Sequence, residues 1–123
     1  MNYLVIGGKA VLGQQSIAAI RKEDADSIII STSSGDEPVP GADRTIPNID
    51  LTRAESIESI PEFVPDRLRA IVYVPARGPV GKPVQYAEES EYQESLKFSV
   101  IPMLRLMELL RPDIGLWFSG FMW

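Results

Sequence analysis

Short apolar runs alternate along the chain with longer stretches of helical periodicity. The first run, Tyr3-Leu4-Val5-Ile6, is continuously apolar and meets the pair Gly7-Gly8. A helical stretch follows Gly13 to about Lys22, with Leu12, Ser16, Ile17, Ala19 and Ile20 placed to pack on a sheet. Ser27-Ile28-Ile29-Ile30 reads as a second strand, continuous in its apolar character because both of its faces are to be covered. Residues 33–41, rich in Ser, Gly, Pro and acid, read as a loop. A third strand over 44–49 leads into Asp50-Leu51-Thr52, where Thr52 is placed to cap a helix to about Ile60, with Glu55 completing a capping box and Pro61 and Pro65 ending it. Residues 68–74 form a fourth strand closed by Pro75, and 76–83 a loop. Over 88–110 Leu96, Val100, Met103, Leu104, Met107 and Leu110 recur at helical spacing. Phe98, Ile101, Leu106 and Leu109 widen the apolar surface, which implies burial on more than one side. Pro102 removes a hydrogen bond inside this helix and predicts a kink. Residues 114–121 read as a last strand.

This alternation is that of βαβ units. It predicts an α/β fold with a parallel sheet of about five strands and helices on both faces, one domain over residues 1–123. Composition narrows the chemistry. The chain has no cysteine and no histidine, which removes disulfides, thiolate nucleophiles, the usual metal sites and the commonest general base. No metal is expected. A net charge of −5 disfavours nucleic acid or an acidic membrane as partner. No leader pattern is visible, and no apolar stretch approaches the roughly 18 to 20 residues of a membrane helix, so a cytoplasmic location is expected.

The turn Gly7-Gly8-Lys9-Ala10-Val11-Leu12-Gly13, between a first strand and a first helix, is suited to phosphate. Glycine lets the backbone approach the anion, and a helix N-terminus offers unpaired N–H groups and partial positive charge. Lys9 adds a cation. The same glycines also serve a tight turn that binds nothing. Gly8 and Gly13 have the spacing of a Walker A loop, but Gln14-Gln15 stand where Lys and Ser or Thr are required, so that reading fails. An FMN loop lacks its run of hydroxyls here.

Val5-Ile6-Gly7-Gly8-Lys9-Ala10-Val11-Leu12-Gly13 resembles the glycine motif of the short-chain dehydrogenase/reductase family, with Val11 replacing the middle glycine. Asp50-Leu51-Thr52 is similar to the family's acidic element after the third strand, whose carboxylate side contacts adenine. Val74-Pro75-Ala76-Arg77 falls at the family's Asn-Asn-Ala-Gly and retains only Ala76; Arg77 either lies over the cofactor or solvates a loop. Ser99 stands at the place of a family Asn, and Ser119 near that of the catalytic Ser, although ordinary packing accounts for either serine.

The resemblance implies a Rossmann-like doubly wound sheet that binds NAD(P)(H). In the complete protein it implies hydride transfer to or from a small carbonyl or alcohol substrate. The candidate cofactor contacts are Gly7, Gly8, Lys9, Val11, Leu12, Gly13, Asp50, Leu51, Ala76 and Arg77, with Ser31, Thr32 and Ser33 at the end of the second strand. That strand end usually carries a carboxylate in NAD readers. Here it holds Ser31-Thr32-Ser33-Ser34, so NADP(H) is favoured over NAD(H). The family's Tyr-xxx-Lys pair is missing, and the crowded apolar ending from Trp117 to Trp123 leads to the expectation of a truncated chain or one completed by a partner. Two other functions fit: a non-catalytic dinucleotide sensor or regulatory module, and an assembly protein. The 88–110 helix is the expected contact between copies.

Overall fold

A computed structural model describes residues 1–65, 67–75 and 88–111, and the backbone of Leu116–Phe118. The chain runs β1 (Asn2–Ile6), α1 (Val11–Glu23), β2 (Ile28–Thr32), β3 (Arg44–Ile46) and α2 (Ala54–Ser59). A 3₁₀ turn at Ile60–Phe63 is followed by β4 (Ala70–Tyr73), α3 (Glu89–Ser99), α4 (Ile101–Leu110) and β5 (Leu116–Phe118). All four strand pairings are parallel and the sheet order is β3-β2-β1-β4-β5. Four of these strands carry described side chains, and the fifth adds three residues beside β4.

The continuous apolar strands are explained by the two layers they serve. Leu4, Ile6, Ile30, Ile46, Ile71 and Tyr73 join Ile57 and Ile60 from the α2 region and Met103 and Leu106 from α4 in one buried cluster. Val5 and Ile29 point the other way and meet Ile17 of α1 and Val39, with Ile20 and Val72 alongside. Helices therefore cover both faces, as the strand pattern requires. The face that α1 buries is narrower than its periodicity suggests. Gly13 and Ile17 are buried and Ile20 packs beside them, whereas Leu12 and Ala19 are exposed.

No helix lies between β2 and β3. An ordered loop closes that face instead, and Val39 supplies the apolar plug, contributing roughly 1.5–3 kcal/mol by its burial. The loop is tied down by charge and backbone. Asp43 Oδ2 accepts from Ile29 N and from Arg21 Nη2, each at 2.7 Å. Arg21 also donates to Gly41 O and to the carbonyl of Ser27, and Val39 N donates to Thr45 Oγ1. The backbone bond from Ile29, then Arg21, holds the Asp43 carboxyl below its ordinary 3.8.

Three local expectations change. Thr52 does not cap α2, which starts two residues later behind Arg53 without a side-chain cap. Thr52 instead turns its N–H and hydroxyl onto Asp50 Oδ1, an Asx turn that outcompetes the capping box, and Glu55 pairs with Arg53 at 3.6 Å. Pro61 does not end the helical segment at once; it sits at the start of the 3₁₀ turn, where its missing N–H is harmless. The third strand stops at Ile46, and Asn48 follows in the left-handed region at φ 56°.

The 88–110 helix is two helices. Glu88 and Glu91 form a capping box that starts α3. Val100 leaves helical geometry at φ −118°, ψ −50°, and α4 restarts with Pro102 in its first turn. Leu96, Ile101, Leu104 and Leu109, part of the apolar surface expected to be buried on more than one side, are exposed in the single chain. Among the described residues no helix is long and apolar enough to cross a membrane.

Asp43→Asn is expected to lower the melting temperature by a few degrees near pH 7, because it keeps the shape but removes the charge that Arg21 and Ile29 hold. A carboxyl depressed on folding stabilises fully above its unfolded pKa, and that contribution disappears as pH falls through the folded value. The gap between wild type and variant in urea melts should therefore close as pH drops below 3.8.

Candidate functional site

The ends of β1, β2 and β3 and the start of α1 meet at one edge of the sheet. There they enclose a cleft of about 530 Å³ lined by Gly7, Lys9, Ala10, Thr32, Ser33, Ser34, Ile49, Asp50, Leu51, Thr52, Pro75 and Phe98. This is the carboxyl edge of a parallel sheet, at the point where the chain passes from β1 to opposite neighbours β2 and β4, the position at which open α/β sheets bind ligands.

The turn is built by steric necessity. Gly7 stands at φ 84°, a conformation that side chains resist, and its N–H reaches Thr32 Oγ1 at 3.4 Å. Gly13 faces the turn from inside α1. A Cβ there would collide with the Gly7 carbonyl oxygen and come within 2.7 Å of Gly8 Cα, both backbone atoms that cannot swing aside. Gln14 completes the closure, donating from Nε2 to Gly8 O at 2.6 Å and to Pro40 O at 3.0 Å, which binds the turn to the β2–β3 loop. Thus Gln14, which excludes a Walker loop, has a use of its own.

The α1 N-terminus carries Ala10 at its cap, with no side-chain cap and no acid in its first turn. The N–H groups of that turn therefore lack an internal acceptor and concentrate partial positive charge beside the cleft. Lys9 lies at the same end with its ammonium 3.3 Å from Glu37 Oε2. Both side chains are exposed, so the pair is weak and an anion in the cleft competes readily with Glu37. Across the cleft, Asp50 is kept ionised by its bonds from the Thr52 hydroxyl and Thr52 N–H, with Arg53 adding to the effect.

The structure brings Gly7, Lys9, Thr32, Ser33, Asp50 and Leu51 together on the cleft. Gly8, Val11, Leu12, Gly13 and Ser31 are absent from its lining. Val11 and Leu12 face outward, and Gly8 and Gly13 shape the turn from behind. Ser31 is fully buried, donates to Val5 O at 2.7 Å and fills the space that a Gly8 Cβ would need, so it packs behind the turn. Asp36 is turned away onto Asn48 Nδ2 at 2.7 Å. Ser99 is buried in α3. Ala76, Arg77 and Ser119 lie outside the described residues.

Ala10, Ser34, Ile49, Thr52, Pro75 and Phe98 also line the cleft and were not among the candidates. Ser34 continues the hydroxyl run and Thr52 adjoins Asp50, so adjacency points to both. Nothing local points to Phe98, which arrives from a helix far along the chain.

No protein-family model matches the chain, and none of the curated proteins matches it. The likeness to known proteins lies in the fold. The chain is similar to a short chain dehydrogenase family protein from Francisella tularensis (16% identity, TM-score 0.67), over 89% of this chain and 45% of that one. It is similar to serine dehydrogenase from Escherichia coli (15% identity, TM-score 0.71), over 90% of this chain and 54% of that one. It is similar to ElxO, solved with NADP bound (16% identity, TM-score 0.69), over 87% of this chain and 47% of that one. The chain thus has the Rossmann-like α/β fold of short-chain dehydrogenases/reductases and spans about half the length of these structures.

Gly13→Ala is expected to cost about 3 kcal/mol in chemical unfolding, through the clash with Gly7 and Gly8. Alanine is otherwise the better helix former by about 1 kcal/mol, so an unchanged or raised stability would overturn the close contact.

Proposed function

We propose that the chain is the dinucleotide-binding part, a single domain, of a cytoplasmic oxidoreductase of the short-chain dehydrogenase/reductase type. The observation that carries this reading is the convergence on one cleft of the Gly7 turn, the uncapped start of α1 and Lys9. These are donors and a cation suited to a pyrophosphate. Thr32, Ser33 and Ser34 offer hydroxyls at the end of β2, and Asp50 offers an acceptor on the far side. A nicotinamide dinucleotide, when bound, would give a hydride to a carbonyl substrate or take one from an alcohol. This chain's own residues bind and orient it.

NADP(H) is the favoured form. Ser33 and Ser34 stand where a carboxylate would repel a ribose phosphate, and Glu37, the carboxylate paired with Lys9 among the described residues, is exposed and displaceable. Asp36 is engaged elsewhere.

A second reading, self-assembly, is favoured by the exposed Leu96, Ile101, Leu104 and Leu109 on α3 and α4. It is compatible with the first, since this face lies on the helices and not at the glycine turn. Leu104→Glu is expected to convert oligomers to monomers in analytical ultracentrifugation. A wild-type chain that is monomeric at high concentration would remove this reading.

Calorimetric titration with NADPH and then NADH tests the main proposal. Saturable binding with NADPH the tighter ligand is expected, and Lys9→Ala should weaken NADPH about tenfold and NADH less. A folded chain that binds neither ligand would refute the dinucleotide site.

A further inference from the structure

We propose that Tyr73 is a positioning residue for the cleft: its hydroxyl supplies the donor that Pro102 denies to the Phe98 carbonyl, and this bond between β4 and α3 sets Phe98 in the cleft wall. Its consequence for binding rests on the dinucleotide reading above; the bond itself does not.

In a continuous α-helix the carbonyl of residue 98 accepts from the N–H four positions on. That residue is Pro102, which has no N–H. The ladder is intact on either side of the gap: Val100 N donates to Leu96 O and Leu104 N to Val100 O, each at 3.1 Å. Between them the backbone departs from helical values at Val100. Tyr73 reaches into this gap from the end of β4, its hydroxyl donating to Phe98 O at 2.6 Å.

Tyr73 is well placed to act as a fixed post. It is fully buried and shares one core cluster with Met103 and Leu106 of α4, so the post that holds the carbonyl before the break is anchored in the core that also buries the segment beyond it. Burial pushes its phenol above the usual tyrosine range, so the hydroxyl keeps its proton and remains a donor. Phe98 then enters the cleft wall together with Pro75, which lies against Gly7 two residues beyond Tyr73, just past the end of β4. One strand end therefore determines both the Pro75 and the Phe98 portions of that wall.

Filling space in the core needs only the ring, whereas positioning Phe98 needs the hydroxyl. Tyr73→Phe separates the two. Pro102→Ala gives the helix back an N–H four residues beyond Phe98, so the double variant tests whether the missing donor is the cause. Amide exchange over residues 96–104 is to be measured on the ligand-free chain, alongside NADPH affinity by calorimetry. Y73F is expected to unfold cooperatively, lose protection over 96–104 and bind NADPH about three- to tenfold more weakly. Adding P102A is expected to restore both. Wild-type protection and affinity in Y73F would overturn the proposal, as would a double variant no better than Y73F. If the wild-type chain binds neither dinucleotide, the functional reading fails on its own. Protection lost in Y73F and regained in the double variant then still supports the Tyr73 bond, and unchanged protection overturns it.

Discussion

The approach of α1 to the end of β1 governs the rest of the molecule. With Gly13 lodged against the Gly7 carbonyl and Gly8 backbone, the first turn of α1 sits directly over the strand that leads into it. Every other wall of the cleft is referred to that position. Ser31 and Val39 fill the space beside Gly8, Thr32 holds the Gly7 N–H, and Gln14 ties the turn to Pro40. A helix displaced outward by one methyl group would loosen these contacts together and carry its N–H groups away from the cleft. The replacement of a middle glycine by Val11 does not disturb this contact, because Val11 projects outward from the first turn of α1.

Beside α1, the same face of the sheet is completed by a different device. Where a helix might have joined β2 to β3, a loop does so, and a loop needs its polar groups satisfied one by one. The Asp43 carboxylate answers both a backbone N–H of β2 and the Arg21 guanidinium, which in turn gathers the Gly41 and Ser27 carbonyls. Charge and hydrogen bonding thus do for the loop what apolar burial does for the helices. The same loop presents Glu37 to Lys9, so the ordering of this face and the electrostatics of the cleft are linked.

The third wall comes from α3 and α4, whose break at Val100 follows from Pro102 and is bridged from β4 by Tyr73. Around this break Phe98 lines the cleft, and Leu96, Ile101 and Leu104 are exposed.

Periodicity by itself determined the order and type of the strands and main helices, since a strand covered on both faces must be apolar throughout, as in Leu4-Val5-Ile6 and Ile29-Ile30. It also determined the place of the glycine turn and of the helix interruption, because glycine and proline act on the backbone locally. Boundaries were less legible where two local bonds compete: Thr52 had a helix cap and an Asx turn open to it, and Asp50 decided between them. Only the tertiary structure separated Thr32 and Ser33, which line the cleft, from their neighbour Ser31, which packs behind the turn. Adjacent strand residues point to opposite faces, and the partner on each face belongs to a distant segment. Phe98 owes its place to the same cause: its own helix says nothing of the cleft, and the bond from Tyr73, 25 residues away, brings it there.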